Sequence, residues 1–443
     1  MEILLNIIYF VLFGAYFALA LKDLKVAVCI LPFAFPLYLV KLNLGVPFTF
    51  IEILIYVVFL VFVVKRWRKL MEMEVKVMDF LKSIYFPIFL IFLFCTFAVF
   101  VMPDSMTLFS GEEYESRKVA LGIWKGWIVN PILFFILFVN VVKDIKWRFL
   151  ALDSYVFSAV VLSLMALYQQ ITGVFITEDM RASGPFESAN YLALYVVPAC
   201  IYIGILIYKR IILKVGKKEA EIGFFKNNWI YIVSFIAILC GVLLSQSYAG
   251  LIAVLGTFGV FGLMELFKLK SKKVTLIVLG SFAVLLIVVV LTQMGTEKFD
   301  QFLDFTQRNS TTVRLQVWKT SWELFKNNAV FGLGLGQFEP MYQLNIPWIL
   351  KGVPYEWVML HPHNIFLAFL LNCGLLGLGA FLFIVGRFLQ SVLKGLKKEQ
   401  FRLIAMIALF MMISIFIHGL FDTPFWKNDL SLLFFLILGS SYR

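Results

Sequence analysis

Apolar stretches at or near bilayer-spanning length recur along the whole chain, at about residues 3–21, 26–40, 45–64, 80–102, 119–142, 149–172, 189–208, 229–246, 249–267, 274–293, 365–389 and 402–420. A shorter thirteenth covers 430–441. A helix crosses the hydrocarbon core with about 20 residues, and backbone polar groups there must pair within the segment or within a closed barrel. Continuous apolar runs suit helices, whereas barrel strands alternate apolar and polar positions. The expected fold is an all-α, polytopic integral membrane protein of about 12 transmembrane helices. Composition agrees: 62% hydrophobic residues, 15% charged residues and a mean hydropathy of +0.92 describe a 443-residue chain whose solvent is mostly lipid.

The first run begins at Ile3 without a basic leader or a small-residue cleavage site, so it reads as a retained helix. Cys29, Cys95, Cys200, Cys240 and Cys373 all lie in apolar runs without metal-ligand or redox spacing, and read as core residues. Orientation follows from Lys and Arg. The connections Lys65–Lys82, Lys143–Arg148, Lys209–Lys226, Lys268–Lys273 and Arg387–Arg402 are basic and belong in the cytoplasm; Pro103–Lys118, Gly173–Ser188 and Met294–Asn364 are mixed or acidic. The formal charge of +12 is thus largely a topology signal, compatible with anionic lipid headgroups and weak support for nucleic acid. Parity puts the amino terminus outside unless an early run is re-entrant, and Pro32 and Pro36 single out the second.

Three units follow: helices 1–10 in residues 1–293, an extracytoplasmic loop at 294–364 with short helices, and the last helices in 365–443. A long loop among short connections is a place for function. It ends in His361-Pro362-His363-Asn364, which sets two of the three histidines at a membrane boundary. Histidine titrates near neutrality and suits a general base there, although it can equally cap the following helix. Asn309 to Thr312 offers helix-capping chemistry, and Arg314, Trp318 and Trp322 recur at every fourth residue on one helical face. That face fits an inward arginine or a snorkelling one in an aromatic belt. Gly332-Leu333-Gly334-Leu335-Gly336 lacks the βαβ context of a dinucleotide loop and implies a tight backbone path, whether or not against a ligand. Arg181 to Phe186, with Asn190 beyond, places a cation suited to diphosphate at another mouth, or an ordinary loop cation. Ser245 to Gly250, with Tyr248, breaks two helices and turns the chain.

Together these segments resemble the O-antigen ligase and polymerase family of bacterial envelope glycosyltransferases, from about residue 120 onward. Arg181-Ala182-Ser183-Gly184-Pro185-Phe186 with Asn190, Arg314 to Trp318 with Gly332 to Phe338, and His363-Asn364 with Gly374-Leu375-Leu376-Gly377 are similar to the family's motifs in order and spacing. Where the family often has Ser-x-Ser-Arg-Gly, this chain has Tyr248 in Ser245-Gln246-Ser247-Tyr248-Ala249-Gly250.

The resemblance implies a GT-C-like fold and a metal-independent, inverting transfer of glycan from a polyprenyl-diphosphate carrier, without cofactor, facing the periplasm at the inner membrane. In that reading His363 is the general base, Arg314 binds the diphosphate, and Arg181, Tyr248, Asn364 and Trp318 contact substrate. His361 is the rival base and His418, near Asp422, a third. The expected partners are the donor, a lipid A-core or glycan acceptor, and membrane lipids. Ligase stands first, polymerase second, with a protein oligosaccharyltransferase behind them. A flippase is the rival from another class and would place charges within the helices along a route across the bilayer.

Overall fold

The computed structural model describes residues 2–43, 47–72, 77–212, 228–268 and 309–442, with isolated residues between 276 and 294. The apolar run at 274–293 and the start of the loop therefore lie largely outside the described residues. Elsewhere the chain is mostly helical, with only two short β-hairpins, Lys41–Asn43 with Pro47–Thr49 and Met106–Thr107 with Glu113–Tyr114. Six helical stretches among the described residues are long and apolar enough to cross a membrane: Ser116–Val141, Ile145–Thr172, Ala189–Arg210, Tyr248–Leu266, Ile365–Leu396 and Glu399–Gly419.

The runs at 3–21 and 45–64 also form unbroken helices, Glu2–Lys22 and Phe50–Met71, whereas others are shorter or broken for local reasons. The second run is an α-helix over Leu24–Ile30 that tightens into a 3-10 helix over Leu31–Leu39, with Pro32 at its start and Pro36 inside. Its 7 α and 9 3-10 residues, at about 1.5 and 2.0 Å rise, reach about 28 Å. The run therefore traverses the bundle: Lys25 pairs with Asp144 at 3.3 Å at one end, and the Tyr38 ring lies 5.5 Å from the Lys427 ammonium at the other. In Ser116–Val141 a π-helical turn at Trp124–Val129 precedes Pro131, which has no N–H to donate. The run at 80–102 yields a 14-residue helix, Tyr85–Ala98, and the last run another, Asn428–Ser441.

One end of the bundle carries basic groups that close helix ends. Lys65 bonds the carbonyls of Ala20 and Leu21, Arg387 that of Leu81 (3.1 Å), and Arg148 those of Ser440 (3.0 Å) and Tyr442 (2.6 Å). The expected loop chemistry gathers at the opposite end.

There, Ser310–Asn327 and Phe338–Leu350 form an apolar cluster of their own with Leu370 and Leu371. A complete capping box starts the first of these helices: Asn309 accepts from the amides of Thr311 and Thr312, both at 2.8 Å, and the Thr312 hydroxyl accepts from the Asn309 amide at 2.9 Å. The glycine run between the helices is pressed against backbone. Leu333 N donates to Leu371 O (2.6 Å) and Leu375 N to Ala329 O (2.9 Å), across a break in Ile365–Leu396 where Gly374 adopts φ 67°, ψ −165°. The tight path expected there is thus closed by a second segment of the chain.

Four of the cysteines are buried, as expected of core residues, and Cys240 is half-buried. Folding also brings Cys95 and Cys373 together, with Sγ atoms 3.3 Å apart, a proximity that no sequence spacing disclosed.

Candidate functional site

Asp422 is the hub of the polar cluster at this end. It follows the Glu399–Gly419 helix, its amide donates to His418 O at 3.0 Å, and the residue is 1% exposed. Its Oδ1 accepts from Thr423 N (2.9 Å), lies 3.1 Å from His361 Nε2 and 3.6 Å from His363 Nδ1, the last an ion-pair distance rather than a hydrogen bond. The two imidazole rings are 4.3 Å apart. Pro362 between them and a φ of 47° at His363 turn both side chains toward one carboxylate. Asn364 then caps Ile365–Leu396, accepting from Phe366 N (3.0 Å) and Leu367 N (3.1 Å) while its Nδ2 donates to Leu420 O (3.1 Å). Both ends of that amide, expected at the substrate, hold backbone in place.

Arg314 projects into the same cluster from Ser310–Asn327, and its Nε is buried without a hydrogen-bond partner among the described residues. One turn on, Trp318 Nε1 donates to His363 O at 3.4 Å, so the helix that presents the arginine also touches the histidine. Trp322, a further turn along the same helix, is half-exposed and packs on Phe325. Arg181 approaches from the Gly173–Ser188 connection, and its guanidinium already has partners: Asp179 (2.6 Å), Asn190 Oδ1 (3.4 Å) and Ser245 O (3.4 Å). Tyr248 opens the Tyr248–Lys268 helix beside that carbonyl. Gly250 in its first turn lies against His418, whose Cε1 would be 3.5 Å from a Cβ there. His418 is buried with Nε2 unpartnered among the described residues.

Electrostatics distinguish the members. Burial alone would raise the Asp422 carboxyl, but the imidazoles of His361 and His363 hold it well below the usual carboxylate range. Burial pushes His363 below the ordinary histidine value, His361 and Arg314 add to the shift, and Asp422 opposes it. Burial also lowers Arg314, with Asp422 opposing and Arg181 adding, and an arginine remains charged under such a shift. The arrangement thus offers a neutral imidazole steadied by a carboxylate, next to a half-buried arginine whose Nε is closed off from solvent.

His361, His363 and Asp422 also present one ligand atom each within 4.8 Å of one another, the donor set of a two-histidine, one-carboxylate cation site. The His361–Asp422 hydrogen bond and the neighbouring Arg314 charge both compete with a cation there.

Sequence reasoning undervalued three residues. Asp422 drew notice only as a neighbour of His418, although an acid just beyond an apolar run on the expected outer side is itself a signal. Gln169, in Ile145–Thr172, accepts from Ser183 N and Gly184 N, both at 2.9 Å, and donates to Gly184 O at 2.7 Å, clamping the Arg181 segment; nothing local marks it. Lys427 places its ammonium 3.2 Å from the centroid of Tyr191, whose ring stacks on His361 at 6.0 Å.

Residues 233–382 match the family described as O-antigen ligase. The matched stretch contains Tyr248, Arg314, Trp318, the glycine run and the His361–Asn364 turn; Arg181 and Asp422 lie on either side of it. No curated protein matches the chain.

Proposed function

Since the chain carries the domain of the O-antigen ligase family in residues 233–382, we propose that it is an O-antigen ligase, transferring glycan from undecaprenyl diphosphate to a lipid A-core acceptor on the periplasmic side of the bacterial inner membrane. The observation that carries this reading is the convergence of Arg314, His363 and Asp422, from three separate segments, at the end of the bundle opposite the basic connections.

In the proposed reaction the acceptor hydroxyl oxygen attacks the anomeric carbon from the face opposite the diphosphate, so the configuration inverts. The bond from that carbon to the phosphate oxygen breaks, and its electron pair leaves with the diphosphate. With His363 Nδ1 turned toward Asp422, Nε2 is the atom that takes the hydroxyl proton. Asp422 steadies the imidazolium that forms. Arg314 stabilises charge growing on the diphosphate, which a preorganised, half-buried cation does without reorganising at the moment of reaction. Arg181, held by Asp179 and Asn190, supports it; Trp318 and Asn364 fix the His363 turn; Tyr248 takes the place of the family's arginine at the diphosphate. The described part of the loop, residues 309–364, caps the site on the periplasmic side in this reading, and the reaction needs no metal.

An apolar cleft of about 470 Å³, lined by Val161, Leu164, Met165, Tyr168, Val174 and Gly184, runs beside the Arg181 segment and suits the isoprenoid chain of the carrier. Buried charges elsewhere favour an enzyme over a flippase. Asp153 is bonded by Tyr202 (2.6 Å) and Tyr231 (3.1 Å), and Glu265 by Lys209 (2.9 Å), so each ties helices together.

The test is transfer by the purified protein in nanodiscs, given undecaprenyl-diphosphate-linked glycan and either lipid A-core or a second carrier-linked glycan, with His363→Ala and a chelator arm. Product on lipid A-core, absent in the variant and unaffected by chelator, is expected. Extension of the carrier-linked chain means a polymerase, loss to chelator returns His361, His363 and Asp422 to a metal role, and carrier movement without product means a transporter.

A further inference from the structure

Beside the reaction centre lies a second group of polar side chains that the proposed transfer does not use. Lys427 sits in the turn before the Asn428–Ser441 helix, with its ammonium 3.2 Å from the Tyr191 ring centroid and 5.5 Å from those of Tyr38 and Phe186. Among the described residues that ammonium has no hydrogen bond and no ion pair, although an ammonium carries three donors. Next to this half-buried lysine, the Tyr38 hydroxyl and Asp429 Oδ1 are buried without partners among the described residues, in residues 8% and 1% exposed. Unpaired donors and an unpaired acceptor bordering aromatic faces are rare in a settled core, because each is costly to leave unmade. They are the complement of a sugar ring, whose hydroxyls donate and accept and whose C–H faces pack on aromatic rings.

We propose that Lys427, Tyr38 and Asp429 form a carbohydrate subsite for a neutral hexose of the acceptor glycan. The assignment deepens the transferase reading and rests on it. Location supports the acceptor side: Tyr191 stacks on His361, so a sugar held on Lys427 lies one aromatic ring away from the imidazole pair that receives the acceptor proton. Charge decides between neutral and acidic sugars. Inside the subsite one ammonium, Lys427, stands with one buried carboxylate, Asp429, which leaves no positive excess for a phosphate or a uronic acid. Burial lowers Lys427 to about 8, opposed by Asp429, Glu187 and Asp422, which keeps the ammonium charged at neutral pH.

The experiment compares wild type, Lys427→Met and Tyr38→Phe in nanodiscs, with matched acceptor glycans ending in a neutral hexose or in a uronic acid. For the neutral acceptor, Lys427→Met is expected to raise the acceptor KM roughly tenfold, with kcat within about twofold and donor KM unchanged. Tyr38→Phe gives a smaller rise of the same kind. Wild type is expected to use the uronic-acid acceptor poorly. A donor KM that moves with the acceptor KM, no change in either, or a preference for the acidic acceptor overturns the proposal. Direct binding of the neutral glycan, followed by intrinsic fluorescence, separates the two readings. If wild type transfers nothing yet binds that glycan and Lys427→Met does not, the transferase reading fails and the subsite stands; binding equal in both proteins removes the subsite.

Discussion

Gly332 and Gly374 meet backbone to backbone. A Cβ on Gly332 would lie 2.8 Å from Gly374 N and 2.6 Å from Leu371 O, and one on Gly374 would lie 2.1 Å from Val330 O. Both residues have positive φ, 74° and 67°. The contact seats the loop in the break of Ile365–Leu396 at Gly374, 10 residues beyond its Asn364 cap, and so couples the position of Ser310–Asn327 to that of the His363 turn.

Gly374→Ala therefore meets a closed backbone and an unfavourable φ at once. It is expected to cost on the order of 2 kcal/mol or more, because the carbonyl of Val330 cannot move aside as a flexible side chain would. Thermal unfolding of purified protein should show a lowered Tm. Gly379, on the same helix with nothing within 4 Å of its added Cβ, is the control and should tolerate alanine.

That interlock marks the boundary of what the residues disclosed in advance. Continuous apolar runs imply helices because lipid leaves the backbone no other partner, so the helical class followed from composition alone. The glycine run implied a tight path, but its neighbour is more than thirty residues away and no local pattern names it. Arg314 and Trp318 were legible as one helical face, and His363 as a boundary histidine. What joins them is Asp422, over fifty residues beyond His363, and such long-range pairing is set by packing rather than by spacing. The break at Leu31 has the same origin: Pro32 signals an interruption, whereas the 3-10 helix that carries the chain onward is resolved only by the fold.

Asp422→Asn tests the carboxylate. Turnover that requires neutral His363 falls as pH drops through its folded pKa, which lies below the ordinary 6.5. Asp422 opposes the downward shift, so removing its charge moves that acidic limb to still lower pH. The rate on the plateau is expected to fall about 10²-fold, since the imidazolium loses its partner. The pH–rate profile checks both at once, and a limb that moves upward contradicts the assignment. Stability has the same sign. A histidine with a depressed folded pKa contributes stability that is present above 6.5 and is lost as pH falls through the folded value.

The two arginines are expected to differ. Arg181 is tied to Asp179 at 2.6 Å and to Asn190 and Ser245, both at 3.4 Å, whereas Arg314 Nε is buried with no partner among the described residues. Arg314→Ala should lower kcat by about 10² to 10³, the range for loss of a preorganised charge stabiliser, and Arg181→Ala by about tenfold. Arg314→Lys should recover little, because an ammonium lacks the planar fork that grips two phosphate oxygens. Steady-state transfer with donor varied provides the comparison, and equal losses at the two positions contradict it.

Gln169 makes the last case, because its side chain holds backbone at the border of the cleft beside the Arg181 segment. Its amide accepts from Ser183 N and Gly184 N, both at 2.9 Å, and donates to Gly184 O at 2.7 Å, inside a residue 6% exposed. These bonds bind Ile145–Thr172 to the strand of backbone that carries Arg181. Gln169→Leu matches the volume and leaves the Ser183 and Gly184 amides without these partners, and Gly184 O with the Ser183 hydroxyl alone at 3.4 Å, where each unmade bond costs roughly 1–3 kcal/mol. Gly184, with φ 58° and its Cβ position 3.3 Å from Leu162 O, sits in a left-handed turn packed closely on the Ile145–Thr172 helix. The segment should shift and Arg181 with it, so the expected result is a lowered Tm together with a raised donor KM. The control is Gln170→Leu, one residue away, exposed and outside the cleft lining, which should change neither. A Gln169→Leu protein with normal Tm and normal donor KM would show that the segment holds its shape without the clamp.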